Sequence, residues 1–252
     1  MTVLVDLGNT ALKWADFDNP ESPKTIIHGC SHDYTHQLRN SLNGYDCTRA
    51  IGCSVASYDL TKTTERIFKS FGCELQWLKS QVSYQGEFEL INAYKNPLQL
   101  GSDRWHAAIG ACSFLPNKPL LVVHVGTATT VDCVVPERCG HMRFLGGRIA
   151  PGVVLMRDSL VSGTATLPKA EGGYKSIPNS TMDAIMTGII DSQLGLIERG
   201  MKVMQQNGFS PTLVLAGGAA SMFAPYLRQE FPQMIQKHNL VLRGLQLRVK
   251  ET

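Results

Sequence analysis

One residue pattern occurs twice in this chain, and it constrains the fold more than any other feature. The first copy opens with the apolar run TVLVDLG, which contains an aspartate and stops at a glycine, and continues with a second apolar run, ALKWADF. The second copy, LLVVHVGTATTVDCVV, has the same organisation. Asp6 and Gly8 of the first copy correspond to His124 and Gly126 of the second. The repeat predicts two related halves, each of which begins with a strand–glycine–strand hairpin.

Strand and helix patterns alternate along the rest of the chain. Short apolar runs predict strands over 49–55, 74–78, 143–152 and 212–220, the last of which runs into a glycine pair. Apolar residues at helical spacing predict helices over 58–72, 102–115, 153–162 and 180–208. Ser102 and Asp103 are both good N-cap residues for the helix that begins there. The alternation indicates an α/β architecture.

The turn LPNKP at 115–119 is the predicted boundary between the two halves. It divides the chain into a first domain over 1–117 and a second domain over 118–252. Because each half begins with the same hairpin, we expect two related α/β domains with a cleft between them.

Composition excludes several classes of protein. The chain has 252 residues, of which 43% are hydrophobic and 18% charged, and its net charge is +3, which is typical of a folded protein. The basic residues are dispersed and no helix-turn-helix pattern is present, so we expect no nucleic-acid partner. No apolar run approaches the roughly 18 residues of a membrane helix, and the first run contains Asp6 and is too short for a signal peptide. We therefore expect a cytoplasmic protein without a membrane partner.

The cysteines do not predict a metal site. Their number is odd, the sequence contains no Cys-x-x-Cys pair, and their gaps do not match zinc ligands. We expect free, buried thiols at Cys30, Cys47, Cys53, Cys73, Cys112, Cys133 and Cys139.

The residues of the first hairpin suit the binding of a polyphosphate. Gly8 keeps a side chain out of a tight turn, so that backbone N–H groups can face a phosphate. Asn9 and Thr10 add polar side chains, and Lys13 adds a positive charge. Asp6 at the strand end can face a Mg²⁺ ion, mostly through water. The alternative reading of this segment alone is a plain hairpin with a solvated lysine.

The second hairpin favours the phosphate interpretation. We expect Thr127, Thr129 and Thr130 to contact the same phosphate tail from the second domain. Neither hairpin contains a Walker A sequence or a GxGxxG pattern, so the commonest nucleotide-binding loops are excluded.

These motifs together resemble a known family, the type III pantothenate kinases of the actin/hexokinase-like ATPase superfamily. The resemblance covers nearly the whole chain and rests on DLGNTALK (6–13), NPLQLGSDRWHAAIGA (96–111), GTATTVD (126–132), GGRIAPGVVLMRDSL (146–160), TATLP (164–168), STMDAIMTGI (180–189) and LAGGAA (215–220). It implies two duplicated actin-like, ribonuclease H-like ATPase domains. It also implies the phosphorylation of pantothenate to 4′-phosphopantothenate by ATP with Mg²⁺, the first step of coenzyme A biosynthesis.

The resemblance further implies which residues bind ATP. The first phosphate loop corresponds to Asp6, Leu7, Gly8, Asn9, Thr10, Ala11, Leu12 and Lys13. Thr127 is the matching contact of the second loop, and Asp6 is the implied metal ligand.

The implied substrate loop consists of Gly101, Ser102, Asp103 and Arg104. Asp103 would be the general base that takes the proton of the primary hydroxyl of pantothenate. Arg104 would bind the pantothenate carboxylate through its forked guanidinium. Tyr94 and Thr181 match further substrate contacts. The implied assembly is a homodimer, in which Thr181 could serve the site of the neighbouring chain.

Each of these residues also has a simpler reading when it is taken alone. Asp103 could be a helix cap and Arg104 a surface charge, Tyr94 a packed aromatic, and Thr181 the cap of the long helix. Only the joint pattern favours the catalytic interpretation. The alternatives for function are a kinase for another small hydroxylated substrate and a transcription accessory factor without catalytic activity.

One position departs from the family pattern. His124 stands where many relatives have an aspartate that is associated with a bound K⁺ or NH₄⁺ ion. Neutral imidazole is a poor ligand for a hard alkali cation. We therefore expect the monovalent-cation site to be altered or absent, and activity to depend only weakly on potassium.

Overall fold

The computed structural model describes residues 1–28, 33–137, 140–168 and 171–250. The strands are β1 (Thr2–Leu7), β2 (Ala11–Asp16), β3 (Lys24–Ile27), β4 (Arg49–Ser54), β5 (Glu74–Trp77), β6 (Ser83–Gln85), β7 (Glu89–Asn92), β8 (Leu120–Val125), β9 (Ala128–Pro136), β10 (Met142–Pro151), β11 (Thr212–Ala216) and β12 (Ile235–Gln236). The helices are α1 (Tyr34–Leu42), α2 (Tyr58–Ser70), α3 (Ser102–Phe114), α4 (Val153–Gly163), α5 (Thr181–Gln206), α6 (Ala220–Glu230) and α7 (Leu240–Val249), with a 3-10 turn at Pro97–Gln99. Each strand and helix predicted from the sequence is present. Within the described ranges, no helix is long and apolar enough to span a membrane.

The chain divides into two compact units. Unit 1 comprises Met1–Asn117, Pro136–Leu145 and His238–Thr252, and unit 2 comprises Lys118–Val135 and Gly146–Lys237. The first break coincides with the turn expected to separate the domains. The C-terminal segment, however, belongs to unit 1 and not to the second domain, to which the sequence interpretation assigned it.

The C-terminal segment belongs to unit 1 because α7 packs closely on α3. A Cβ on Gly110 of α3 would collide with the carbonyl oxygen of Leu240, and a Cβ on Gly244 of α7 would collide with that of His106. Glycine permits this approach of two backbones because it has no side chain to separate them. Leu242 is fully buried, so α7 contributes to the core of unit 1.

The first sheet has five strands in the order β3-β2-β1-β4-β5. β1 pairs antiparallel with β2 and parallel with β4, and β4 pairs parallel with β5. Val3, Val5 and Leu7 of β1 pack in a core with buried residues of α1 and α2. Since side chains alternate along a strand, Leu4 and Asp6 lie on the opposite face of the sheet.

The second sheet repeats this arrangement. Its strand order is β12-β11-β8-β9-β10-β7-β6, in which the first residues of β10 pair with β7 inside unit 1. β8 pairs antiparallel with β9 and parallel with β11, and β11 pairs parallel with β12. β8, β9, β11 and β12 of the second sheet thus correspond to β1, β2, β4 and β5 of the first. Leu121, Val123 and Val125 pack in a core with α5. His124 therefore lies on the opposite face, as Asp6 does in the first sheet.

The predicted N-cap of α3 is wrong by one or two residues. The N-cap is Gly101, and Ser102 and Asp103 lie in the first turn of the helix. The hydroxyl of Ser102 donates instead to the carbonyl oxygen of Ser54 at 3.2 Å, a tertiary partner that the sequence does not reveal.

Two cysteines that we expected to be free form a disulfide. Cys47 lies two residues before β4 and Cys73 lies directly before β5. Because these two strands pair in parallel, the Cα atoms of the two cysteines lie 5.3 Å apart. This distance suits a disulfide, although the residues are 26 positions apart in sequence. The described cysteines that are free and buried, as expected, are Cys53, Cys112 and Cys133. Cys30 and Cys139 lie outside the described residues.

Candidate active site

The first hairpin places Asp6 directly opposite Lys13. The two residues are partners in the antiparallel ladder of β1 and β2, so their side chains share one face of the sheet. A hydrogen bond of 3.0 Å from the N–H of Gly8 to the carbonyl oxygen of Ala11 closes the turn. Asn9 at the tip is exposed. The hairpin therefore presents a carboxylate, an ammonium group and accessible backbone at one end of β1.

The carboxyl group of Asp6 lies in an environment that disfavours its negative charge. Burial raises its pKa from 3.8 to about 7, with a further contribution from the nearby carboxylate of Asp103, while Lys13 opposes the shift. A cation bound beside Asp6 would relieve this unfavourable charge. Carboxylate oxygen is a preferred donor for Mg²⁺, which needs one or two protein carboxylates when water and phosphate oxygens supply its other ligands. Asp6 therefore fits the role of metal ligand.

Asp103 lies in the first turn of α3, close enough to Asp6 to affect its pKa. Its Oδ1 accepts a hydrogen bond of 2.8 Å from the N–H of Arg104. A Cβ on Gly101 would lie 2.6 Å from the same oxygen, so glycine at this position leaves room for the carboxylate. The positive end of the helix dipole also favours a negative charge here. Asp103 is thus held in a fixed position at the start of α3.

Cys53 is a site residue that the sequence analysis missed. The parallel pairing of β4 with β1 places it beside Asp6, with its Sγ 4.0 Å from Oδ1 of that residue. Burial, together with the charges of Asp6 and Asp103, raises the pKa of the thiol well above its ordinary value. The thiol therefore stays protonated and is a weak donor beside the carboxylate, not a nucleophile.

Arg104 is held in place by aromatic side chains. Its side chain is 7% exposed, and Nη1 donates a hydrogen bond of 2.9 Å to the hydroxyl of Tyr94. The guanidinium carbon lies 5.7 Å from the centre of the Tyr94 ring and 5.8 Å from that of Phe144. Such contacts fix the plane of the guanidinium group. The structure thus joins two predicted substrate residues, and it adds Phe144 of β10, which the sequence analysis missed.

Asn92 is a third residue that the sequence analysis missed. It is buried at the end of β7, and its Oδ1 accepts a hydrogen bond of 3.1 Å from the N–H of Tyr94. Its Nδ2 donates to the carbonyl oxygens of Gln81 and Pro97 at 3.0 and 3.2 Å. A buried amide that satisfies several backbone groups rigidifies the segment around it. Asn92 therefore fixes the chain that positions Tyr94.

The turn of the second hairpin has a similar geometry to the first. The N–H of Gly126 donates to the carbonyl oxygen of Ala128 at 3.0 Å. The carbonyl oxygen of Thr127 accepts a hydrogen bond of 2.9 Å from the N–H of Gly152, just before α4. Thr127, the predicted second phosphate contact, therefore lies at the turn of unit 2.

The residues around His124 share one face of the second sheet. His124 is the ladder partner of Thr130, and Asp132 follows Thr130 by two residues, so all three side chains point to the face opposite the α5 core. Asp132 is 2% exposed. A Cβ on Gly126 would lie 3.7 Å from Nε2 of His124, so the imidazole lies beside the turn. The sequence did not show on which face of the strand Asp132 lies. The structure places its side chain on the same face as that of His124.

Thr181 is the first residue of α5 and is exposed. Ser180, not Thr181, is the N-cap, and its hydroxyl oxygen accepts a hydrogen bond of 3.2 Å from the N–H of Asp183. Oδ1 of Asp183 accepts a hydrogen bond of 2.9 Å from the N–H of Gly173. The start of α5 thus anchors the preceding segment, and Thr181 belongs to unit 2, whereas Tyr94 and Arg104 belong to unit 1.

The described part of the chain contains no group of three or more His, Cys, Asp or Glu side chains that could hold a metal ion. This finding is compatible with Mg²⁺ bound at Asp6, because that ion commonly keeps several waters and takes further ligands from phosphates.

The duplicated sheets and hairpins define the class of the fold, which is that of proteins with two actin-like α/β domains. A putative Baf family transcriptional activator from Campylobacter jejuni is similar, with a TM-score of 0.62 at 20% identity over 99% of this chain and 98% of that chain. A putative 2-dehydro-3-deoxygalactonokinase from Sinorhizobium meliloti is similar with a TM-score of 0.54 at 11% identity over 100% and 99%. These similarities confirm the predicted fold of two actin-like α/β domains.

The chain belongs to the type III pantothenate kinase family, whose model matches residues 2–203. The type III pantothenate kinase of Herminiimonas arsenicoxydans is 35% identical over 97% of this chain and 96% of that protein. The type III pantothenate kinase of Paracidovorax citrulli is 36% identical over the same shares of the two chains. The family resemblance inferred from the motifs is therefore confirmed.

Proposed function

We propose that this protein transfers the γ-phosphoryl group of ATP to pantothenate, which forms 4′-phosphopantothenate and begins coenzyme A biosynthesis. Family membership supports this activity. The observation in the structure that supports it most is the approach of two carboxylates, Asp6 at the end of β1 and Asp103 at the start of α3. One can bind the metal beside the phosphates while the other accepts a proton from the attacking hydroxyl.

Asp103 acts as the general base. It accepts the proton of the primary hydroxyl as that oxygen bonds to the γ-phosphorus, while the bond from the γ-phosphorus to the bridging oxygen breaks and ADP leaves. The position of Asp103 depends on Gly101 and on the hydrogen bond from Ser102 to Ser54 of β4. A rigidly placed base lowers the entropic part of the barrier.

The loop from Asp6 to Lys13 binds the phosphates of ATP. Lys13 pairs with phosphate oxygens, and the N–H groups of the turn donate to them. Mg²⁺, held through Asp6, supplies charge neutralisation at the phosphates when it is bound. Thr127 contributes the corresponding contact from the second loop.

Arg104 binds the carboxylate of pantothenate. Its guanidinium plane is already fixed by Tyr94 and Phe144, so little side-chain entropy is lost when the carboxylate docks on the fork. Tyr94 contributes to the same substrate contact. Thr181, exposed at the start of α5, is a further contact with pantothenate.

We also propose that the protein is a homodimer. α4 buries only Val153, and its apolar residues Val154 and Leu155 are 54% and 45% exposed. Ile149, at the end of β10, is 64% exposed. An exposed apolar patch of this kind is typical of an interaction surface, and a second copy of the chain is the occupant that the family resemblance implies.

The proposed activity depends only weakly on potassium. The imidazole of His124 lies beside the turn of the second hairpin, and a neutral imidazole does not replace a carboxylate as a ligand for an alkali cation. The proposed site of action is the cytoplasm.

A coupled assay of ADP release with Mg-ATP and pantothenate tests this function, with and without potassium over a sodium control. We expect ADP release that requires pantothenate and that changes little with potassium. Strong, saturable activation by potassium would contradict the role given to His124. ADP release that requires another hydroxylated compound instead of pantothenate would identify that compound as the substrate. If a folded protein releases no ADP with any acceptor, the kinase assignment is contradicted.

A further inference from the structure

The turn of the first phosphate loop, which consists of Gly8, Asn9 and Thr10, is held from one side by a histidine that no motif includes. His28 directly follows β3, which pairs antiparallel with β2. We propose that His28 is a positioning residue that orients the backbone N–H groups of this loop toward the nucleotide phosphates. The inference rests on the proposed function of the loop as a phosphate site.

His28 makes two hydrogen bonds to the loop. Its backbone N–H donates to the carbonyl oxygen of Thr10 at 2.8 Å, and its Nε2 lies 3.0 Å from the carbonyl oxygen of Gly8. A carbonyl oxygen can only accept, so Nε2 carries the proton in this contact. Two carbonyl groups of the three-residue turn are therefore bound by one residue.

The bond to Gly8 determines the direction of the next peptide N–H. In a planar trans peptide, the carbonyl oxygen of Gly8 and the N–H of Asn9 point to opposite sides. Because the oxygen points to His28, the N–H of Asn9 points away from it. Successive N–H groups of a turn form anion-binding concavities, and Asn9 is exposed. Glycine allows this peptide to rotate easily, so its orientation depends on the external contact from His28.

The imidazole of His28 is itself held in place. The ring of Tyr34 in α1 meets it edge to face, with ring centres 5.4 Å apart and an angle of 75° between the planes. The hydroxyl of Tyr34 is hydrogen bonded to Oγ1 of Thr64 in α2 at 2.6 Å. Both Tyr34 and Thr64 are buried. A rigid chain of side chains thus connects the helices of unit 1 with the phosphate loop.

The second hairpin supports the same interpretation independently. There the N–H of Gly152 donates to the carbonyl oxygen of Thr127, as His28 donates to the carbonyl oxygens of the first loop. In both units a group outside the hairpin therefore binds a carbonyl of the turn. In unit 2 the backbone makes this contact, whereas in unit 1 a side chain contributes, and a side chain can be tested by substitution.

The test compares two substitutions of similar size. His28→Gln keeps an N–H donor at the end of the side chain, and His28→Met does not, so any difference between the variants reports the donor. The control is His36→Met, since His36 is a histidine of the same unit whose side chain is 69% exposed. Binding of Mg-ADP is measured by calorimetry, and KM for ATP and for pantothenate is measured in the coupled assay.

We expect His28→Met to weaken Mg-ADP binding and to raise KM for ATP by about tenfold, the effect of about one lost hydrogen bond. KM for pantothenate should not change, and His28→Gln and the control should bind Mg-ADP like the wild type. A general structural defect would instead lower turnover and affect both substrates.

If folded His28→Met and His28→Gln both bind Mg-ADP with the affinity of the wild type, the role of His28 is overturned. If both variants lose affinity to the same extent, the role is also overturned, because the N–H donor would then be irrelevant. If the wild-type protein binds no Mg-ADP, both the proposed role of the phosphate loop and this inference are overturned. A wild type that binds Mg-ADP without phosphorylating pantothenate contradicts the proposed function only, and the comparison of affinities still decides the role of His28.

Discussion

His106 makes the stability of the protein depend on pH. The side chain is fully buried in α3, and its Nδ1 donates to the carbonyl oxygen of Ser102 at 2.6 Å. Burial lowers its pKa from 6.5 to about 3, the charge of Arg248 lowers it further, and the bond to Ser102 opposes the shift. The imidazole is therefore neutral in the folded protein, whereas in the unfolded chain it gains a proton below pH 6.5.

Because the unfolded chain binds more protons between pH 6.5 and pH 3, His106 lowers the stability as the pH falls through this window. At pH 5 the effect amounts to about 2 kcal/mol. We expect His106→Asn, which keeps a donor near Nδ1, to reduce the difference in unfolding free energy between pH 7.5 and pH 5 by this amount. Urea unfolding at both pH values measures it. The exposed His36→Asn is the control, and an unchanged difference in His106→Asn would contradict a neutral His106.

At this scale, the sequence predicted the element on which a residue lies where a local motif contains that residue. Asp6 and Lys13 lie in the first hairpin and Asp103 lies in the first turn of α3, because strand alternation and helix starts follow from nearby sequence. Their roles in binding and catalysis stay predictions. Cys53 and Phe144 were missed because only the pairing of distant strands brings them to the site. Their side chains have no distinctive local pattern.

The contact of α3 with α7 is the element-scale feature most sensitive to a single methyl group. A Cβ on Gly244 would collide with the backbone of His106, which cannot move without shifting α3. We expect Gly244→Ala to lower the unfolding free energy by about 3 kcal/mol, as overpacking against backbone does. Urea or thermal unfolding measures this change.

Gly195→Ala is the matched control, because Gly195 is also helical but has nothing within 4 Å of the position that a Cβ would take. Alanine should be neutral or slightly stabilising there, since it favours helix by about 1 kcal/mol over glycine. Equal effects of the two substitutions would show that α7 does not pack on α3 as described.

α7 itself was not predicted, and its environment explains why. Leu240, Val241, Leu242 and Leu245 are all buried, so the apolar residues do not form the one-sided stripe that identifies a helix in sequence. Among the helices that were predicted, α2 has one buried and one exposed face. α3, in contrast, is buried on nearly all sides, and it was predicted because good capping residues mark its start. α7 has neither a one-sided stripe nor a side-chain cap at its start.

At the scale of the whole molecule, the internal repeat was the most informative sequence feature. It predicted two hairpins, and the two sheets share the pairing pattern that the duplication requires. It did not predict that residues 136–145 and 238–252 join the first unit. The assignment of these segments to unit 1 depends on packing between residues far apart in sequence, which an internal repeat does not predict.

The exposed apolar residues of α4 predict how a charged substitution there affects dimer formation. We expect Leu155→Glu to convert a dimer into a monomer in light scattering, because a buried, unpaired carboxylate at an apolar interface is strongly unfavourable. Val82→Glu is the control, since Val82 is also an exposed apolar residue, at 67%, but lies far along the chain in unit 1. A dimer that persists in Leu155→Glu would place the interface elsewhere.

The most direct test of the proposed catalysis is the rate at which Asp103→Asn forms 4′-phosphopantothenate, measured by mass spectrometry alongside Mg-ADP affinity. Asparagine keeps the shape of the side chain but cannot accept the proton, so turnover should fall at least about a hundredfold, with unchanged Mg-ADP affinity. Asp59→Asn, which alters an acid in the first turn of α2, is the control and should keep full activity. Turnover of Asp103→Asn within a few-fold of wild type would show that phosphoryl transfer proceeds without this base.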